Sequence, residues 1–283
     1  MDAERFTDLG FAPGVALCYS RGNNRREWTM EQDLRYPGIR LLMGDMDCTV
    51  PRQTLAFGAL HREALEQGRM QELGDTVQGE ADRLAAVLGL EDQGEQLLRY
   101  LIRELLRNIP EHAGTELGEI CVRMSPDGLL ELAVCDSGIG LRESLRKNSV
   151  HKRYVLSHRD ALDCALQPGI SRAFRPSGKN PSRSVWANSG FGLYMVRTIV
   201  RALGGTFLMA SGDAWQFIGD EGQVKTGQCN LTGTAVALSL RPERVRDARK
   251  LIAQAAEQGE AQAKIIRNAF KTASVPSKNL ILH

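Results

Sequence analysis

The sequence predicts an α+β fold, and three observations carry that reading. In LIRELLRNIPEHAG (101–114), Leu101, Leu105 and Ile109 recur every fourth residue and Ile102 and Leu106 widen the stripe, as on an amphipathic helix. EICVRMS and LLELAVCD are short apolar runs joined by a turn at Pro126 to Gly128, which reads as a β-hairpin. Helical and strand patterns then alternate along a chain of 283 residues, 42% hydrophobic and 25% charged, which is the composition of a globular protein with one large core or two modest ones.

Taken in order, GVALCYS (14–20) and IRLLMG (39–44) have strand character, with a turn at Gly22 to Asn24. Helical periodicity covers Thr54 to Gln71 and Thr76 to Leu90, with a break at Gly74 and Asp75 and Asp75 as the cap of the second helix. Residues 1–90 thus form an N-terminal α/β region without a motif tied to chemistry. The next helix spans Gly94 to Glu111 and contains Pro110, which lacks the N–H that would bond to Leu106. It should kink the helix just after Asn108, at a cost of about 3 kcal/mol.

The second hairpin strand ends in DSGIG. A helix over Arg159 to Leu166 follows, then a segment rich in Pro, Ser, Gly and Asn. A further helix, Leu193 to Leu203, is stopped by Gly204 and Gly205 and leads into a strand, and GTAVALSL (233–240) is the last strand. From Pro242 the chain is a helical extension to residue 283. Val245, Ala248, Ile252 and Ala255 mark a first helix with a break at Gly259, a short second helix surrounds Ile265 to Phe270, and SVPSKNLILH reads as a tail.

Composition excludes several classes. The six cysteines are scattered without a CxxC pair, which indicates neither a zinc site nor a disulfide framework and suits a reducing cytoplasm. The first residues lack a basic and apolar leader, and no run approaches the roughly 20 apolar residues that span a bilayer, so no membrane association is expected. The net charge of +2 is unevenly spread, with ten Lys/Arg against three Asp/Glu over 141–189 and nine against four from Arg241 onward. A basic segment between acidic neighbours suits phosphate contact. Without aromatic interleaving or a recognition helix, nucleic acid is not an expected partner.

The chemistry gathers in a few positions. Asp136 ends an apolar strand ahead of Gly138 and Gly140, where a half-buried carboxylate can accept from an exocyclic amine and glycines leave room for a ring. Gly190 and Gly192 open a helix, whose free N–H groups favour an anion. Asn108 can lend an oxygen to a hard cation, and Glu104, one turn earlier on the same face, can order or deprotonate a hydroxyl or water.

In this order ELLRN, DSGIG, GFGL and GTAVAL resemble the N, G1, G2 and G3 boxes of the superfamily named for gyrase, heat-shock ninety chaperones, histidine kinases and mismatch-repair MutL. The resemblance covers about Gly94 to Arg241, an ATP-binding domain of residues 91–241. It implies a Bergerat fold, a two-layer α/β sandwich in which helices cover one face of a mixed sheet and ATP lies beneath a lid, here about 141–189. It further implies ATP and Mg2+ as cofactors, with Asn108 as the metal ligand, Asp136 as the adenine contact, Gly138 and Gly140 shaping the base pocket, and Thr234 beside Asp136. Gly190, Gly192 and Leu193 would form the phosphate turn, and Glu104 matches the general base. Arg172, Arg175, Lys179 and Arg183 of the basic lid are candidates to meet phosphates. Glu111 and His112 resemble the EHA ending of anti-sigma serine kinases, which leaves His112 either reaching the lid or exposed at a helix end.

The short extension after Leu240 disfavours the gyrase-like and MutL-like classes, which need a further domain to deliver a lysine. A regulatory ATPase or protein kinase that couples nucleotide state to a protein partner, or acts as a homodimer, is expected. Two alternatives stand beside it: a nucleotide-gated binding module without significant catalysis, and a histidine kinase with His61 as phosphoacceptor.

Overall fold

A computed structural model describes residues 50–56, 70–115, 117–174, 189–278 and 280. The strands β1 (Val50–Ala56), β2 (Leu117–Met124), β3 (Leu130–Asp136), β4 (Thr206–Ile218) and β5 (Val224–Leu240) form one sheet of order β1-β2-β3-β5-β4. Where the resemblance implies a mixed sheet, every pairing among these strands is antiparallel. Two of them are hairpin pairs, β2–β3 and β4–β5, which short connections permit only in the antiparallel sense.

Alternation along the strands decides which face meets the helices. Leu130, Leu132 and Val134 of β3 join Val236, Leu238 and Leu240 of β5 and Phe207 and Met209 of β4 in the main core. Their neighbours Ala133, Ala235, Ala237, Leu208 and Ala210 face the other way with Trp215 and Phe217. Cys121 of that second face is disulfide-bonded, whereas Cys135, Cys164 and Cys229 are not cross-linked.

On the main-core side lie α1 (Met70–Ala86), α2 (Asp92–Asn108) and α5 (Gly192–Ala202), with α6 (Ala248–Ile265) packed on α5 and α2. The helix α2 is enclosed almost all round: Leu97, Leu98, Leu101, Ile102, Leu105 and Leu106 are buried, and so are Arg103, Glu104 and Arg107. Both β1 and α1, which precede residue 91, share this sheet and core. Two further helices, α3 (Gly140–Arg146) and α4 (His158–Ala165), stand between β3 and α5. A short α7 (Val275–Lys278) is the last described helix.

Several expectations are corrected. Thr54 to Ala56 pair with Glu119, Gly118 and Leu117 as the end of β1 instead of opening a helix, because an apolar spacing over so few residues does not separate strand from helix. The expected break at Gly74 and Asp75 is absent: α1 runs through both, since Val77, Ala81 and Leu84 bury one face of it and packing overrides local propensity. The expected strands at 14–20 and 39–44 lie outside the described residues.

The break expected at Gly259 is likewise absent, and α6 is continuous. The glycine serves contact instead: a Cβ there would lie 2.6 Å from Cε1 of Tyr194 and 3.2 Å from Cε1 of Phe191, so its lack of a side chain lets α6 approach α5. Gly79 of α1 has nothing within 4 Å of its would-be Cβ. Gly79→Ala should therefore stabilise the protein by up to about 1 kcal/mol through helix propensity. Gly259→Leu should destabilise it by about 1–3 kcal/mol through overpacking, despite the same gain in propensity. Urea unfolding of the two variants should move the midpoints in opposite directions.

Candidate nucleotide site

The α-helical ladder of α2 ends at Asn108, as Pro110 demands, and Ile109–Ala113 form a wider π turn closed by Gly114 in the left-handed region at φ 67°. The turn is anchored to the glycine loop after β3. Ile139 N–H donates to the Ala113 carbonyl at 2.8 Å, and a Cβ on Gly138 would stand 2.2 Å from that same oxygen. Gly138 is thus a point of backbone contact between the two walls of the site. Gly140, at φ 73°, packs against the Ser211 hydroxyl, which accepts from Leu141 N–H at 3.0 Å and donates to the Gly233 carbonyl at 2.7 Å.

Between these walls opens a cleft of about 990 Å³, its mouth included. Glu104, Asn108, Asp136, Gly140, Gly190, Gly192, Leu193 and Thr234 all line it, so eight of the nine residues nominated from the four boxes converge on one space. Gly138 lies behind it, and Lys179 falls outside the described residues, as do Arg175, Arg183 and His61.

At one end of the cleft, Asp136 closes β3 directly opposite Thr234 in the β3–β5 register. Its Oδ1 accepts from Gly138 N–H at 2.8 Å, with a further backbone hydrogen bond from Thr234. Burial pushes the carboxyl up to about 6, and those two hydrogen bonds only partly restrain the shift. Asp136 is therefore an acceptor poised to lose its charge just below neutrality.

The other end is built from charge. Glu104 is 3% exposed, and its Oε1 accepts from Arg103 at 3.1 Å and lies 3.6 Å from Arg107. Arg107 also binds Glu111 at 3.1 Å; burial pulls its pKa down, but Glu111 and Glu104 more than offset that, and it stays charged. Arg103 and Arg107 escaped the sequence reading because they look like breaks in a leucine stripe. The i+3 spacing of Arg107 from Glu104 is a signal for an ion pair, whereas the adjacent position of Arg103 is not.

Asn108 donates its amide N–H to the Glu104 carbonyl at 2.8 Å, which leaves Oδ1 as its acceptor toward the cleft. That atom suits a hard cation. Among the described residues no group of three or more His, Cys, Asp or Glu is set to hold a metal, so a cation here would rest on one protein oxygen plus phosphate and water, as magnesium commonly does.

Gly192 opens α5 beside this acid, and a Cβ there would stand 3.1 Å from Glu104 Oε2. Gly190, at φ 71°, is pressed against the Ile170 carbonyl and accepts from Gly169 N–H at 3.0 Å. The basic segment that contributes Leu141 to Arg172 to the cleft lining satisfies several of its own cations. Arg142 and Arg146 donate to the Leu156 and Val155 carbonyls, and Arg159 pairs with Asp163. Of the lid cations named from the sequence, Arg172 reaches the cleft and donates to the Glu111 carbonyl. His112 also lines the cleft, 4.0 Å from Glu111, and is not exposed at a helix end.

The expected tail is the largest surprise. Ser277 of α7 is 2% exposed and donates its hydroxyl to Glu104 Oε2 at 3.1 Å, while Tyr100 donates to its carbonyl at 2.9 Å. Nothing in SVPSKNLILH signals this contact, which joins residues 173 positions apart.

Residues 93–244 match the family model described as histidine kinase-, DNA gyrase B-, and HSP90-like ATPase. Compared with the curated proteins, the chain matches none. Among the described residues no helix is long and apolar enough to cross a membrane.

The raised pKa of Asp136 has a consequence for stability. A carboxyl that ionises near 6 when folded and near 3.8 when unfolded binds more protons in the native state between those values. Its ionisation therefore lowers stability as pH rises through that window, and the cost is complete above about 6. Asp136→Asn should unfold at a higher temperature than the parent at pH 7.5, and the difference should shrink toward zero by about pH 4. Thermal unfolding followed across this range checks it.

Proposed function

Because the chain belongs to the histidine kinase-, DNA gyrase B- and HSP90-like ATPases, with 93–244 as its ATP-binding domain, we propose that it is a magnesium-dependent regulatory ATPase or protein kinase that couples nucleotide state to a protein partner. The observation that carries this reading is the shared cleft: a carboxylate suited to adenine at one end, and at the other an acid, an amide oxygen and a helix N-terminus.

In this reading adenine donates its exocyclic amine to Asp136, beside Thr234, and the ring packs beside Gly140, whose loop Gly138 seats against Ala113. The phosphates run to Gly190, Gly192 and Leu193, where the first N–H groups of α5 and the helix dipole favour negative charge. Bound Mg2+ would neutralise the phosphates, with Asn108 Oδ1 as the protein's ligand. Arg172 supplies a cation from the lid, to which Arg175, Lys179 and Arg183 can add. Glu104 Oε2, the oxygen that does not face the two arginines, accepts a proton from the attacking hydroxyl or water.

Two variants test this. Asn108→Ala should weaken ATP binding by about tenfold or more with Mg2+ present, the loss of one charge-assisted contact, and have little effect in EDTA. Calorimetric titration with and without the metal separates a ligand from a structural residue. Glu104→Gln should retain ATP binding while phosphate release or transfer falls by roughly 10²–10⁴-fold. Unchanged transfer would remove Glu104 from the chemistry.

A further inference from the structure

We propose that Ser277 is an intramolecular phosphoacceptor, so that the chain phosphorylates its own C-terminal helix. The inference rests on the ATP site proposed above and names the acceptor for it. Three features converge on one point. The Ser277 hydroxyl donates to Glu104 Oε2 at 3.1 Å. The other carboxylate oxygen is engaged by Arg103, at 3.1 Å, and by Arg107, so the oxygen facing the serine is the one left to act as base. The same Oε2 is also the nearest atom to the position a Gly192 Cβ would take, at 3.1 Å, which sets acid and serine at the N-terminus of the 11-residue α5.

Acceptor hydroxyl, base and anion-attracting helix end thus meet in the cleft that Asp136 and Asn108 also line. The serine is held in place from several sides. Tyr100 grips its carbonyl at 2.9 Å, and burial together with Glu104 raises the pKa of that phenol, so it remains a donor. Ser274 N–H donates at 2.8 Å to the hydroxyl of Ser189, the residue before the glycine turn. Lys278 pairs with Glu260 of α6, and Glu260 also accepts from Ala273 N–H at 2.9 Å. Holding a nucleophile on its base replaces a bimolecular encounter by a positioned one.

The step balances with ATP as co-substrate. Ser277 Oγ attacks the γ-phosphorus while Glu104 Oε2 takes its proton; the Oγ–P bond forms, the bond from phosphorus to the β-phosphate oxygen breaks, and ADP leaves with that electron pair. Once Glu104 passes that proton to water, the product sets a phosphate dianion against the carboxylate that held the serine, a repulsion that favours release of the helix.

The full chain incubated with γ-labelled ATP and Mg2+ should acquire a phosphate that mass spectrometry locates on Ser277, at a rate per chain independent of protein concentration. Ser277→Ala should lose the label while binding a non-hydrolysable ATP analogue as the parent does, which also reports that it is folded. Analogue binding without label on Ser277, undiminished label in Ser277→Ala, or a rate proportional to protein concentration overturns the intramolecular acceptor and leaves the ATP site standing. Failure of the parent to bind the analogue overturns both.

Discussion

A carboxylate moved out of water loses several kcal/mol of hydration unless cations and hydrogen bonds replace it, and the structure is organised around meeting that demand at Glu104. Arg103 and Arg107 come from the same helix, at its immediate neighbour and one turn on, and Glu111 on the π turn balances the second arginine. Two acids and two bases thus form a neutral buried set from one short stretch. Gln78 of α1 takes a further N–H of Arg103, and the Arg103 guanidinium lies over the Tyr100 ring at 5.0 Å. Removing any one charge from such a set leaves its partner unpaired, typically a loss of about 3–5 kcal/mol.

The location of that set explains the shape of the site. The α2 helix is the element the other layers enclose, so its last turn can aim polar groups inward only if they arrive already paired. Pro110 then ends the ladder at the point where Asn108 completes the wall, and the wide turn carries Ala113 to the glycine loop after β3. Where the loop meets the turn, a methyl group on Gly138 would occupy the space of a carbonyl oxygen. The opposite end, at Asp136, is tuned differently: among the described residues it has backbone donors and no cation acting on it, and burial raises its pKa to about 6. One end of the cleft compensates its charge with cations, and the other relies on two backbone hydrogen bonds.

The C-terminal segment adds a dependence on distant sequence. Gly259 lets α6 lie close to α5, and α6 presents Glu260 to Lys278 and to the backbone of Ala273. A single glycine in a helix is in this way linked through packing to the placement of a serine on the buried acid.

Local chemistry was legible in the sequence wherever one element sufficed to express it. The helical period of α2, the hairpin around Pro126 to Gly128, the acid at the end of β3 and the glycines opening α5 are all nearest-neighbour patterns. Boxes in a fixed order were enough to identify the fold and to point to nine residues of which eight line one cleft. The misreadings at Thr54, Gly74 and Gly259 share a cause: each residue's conformation answers to a partner far along the chain, β2 for the first, α2 for the second and Tyr194 for the third. By itself the sequence determined which elements form and which residue types can bind a nucleotide, because those follow from periodicity and side-chain chemistry. Only the tertiary structure decided that Glu104 is ringed by arginines and met by Ser277, because a hydrogen bond between residues 173 positions apart leaves no trace in local pattern and exists only when the packed core brings them together.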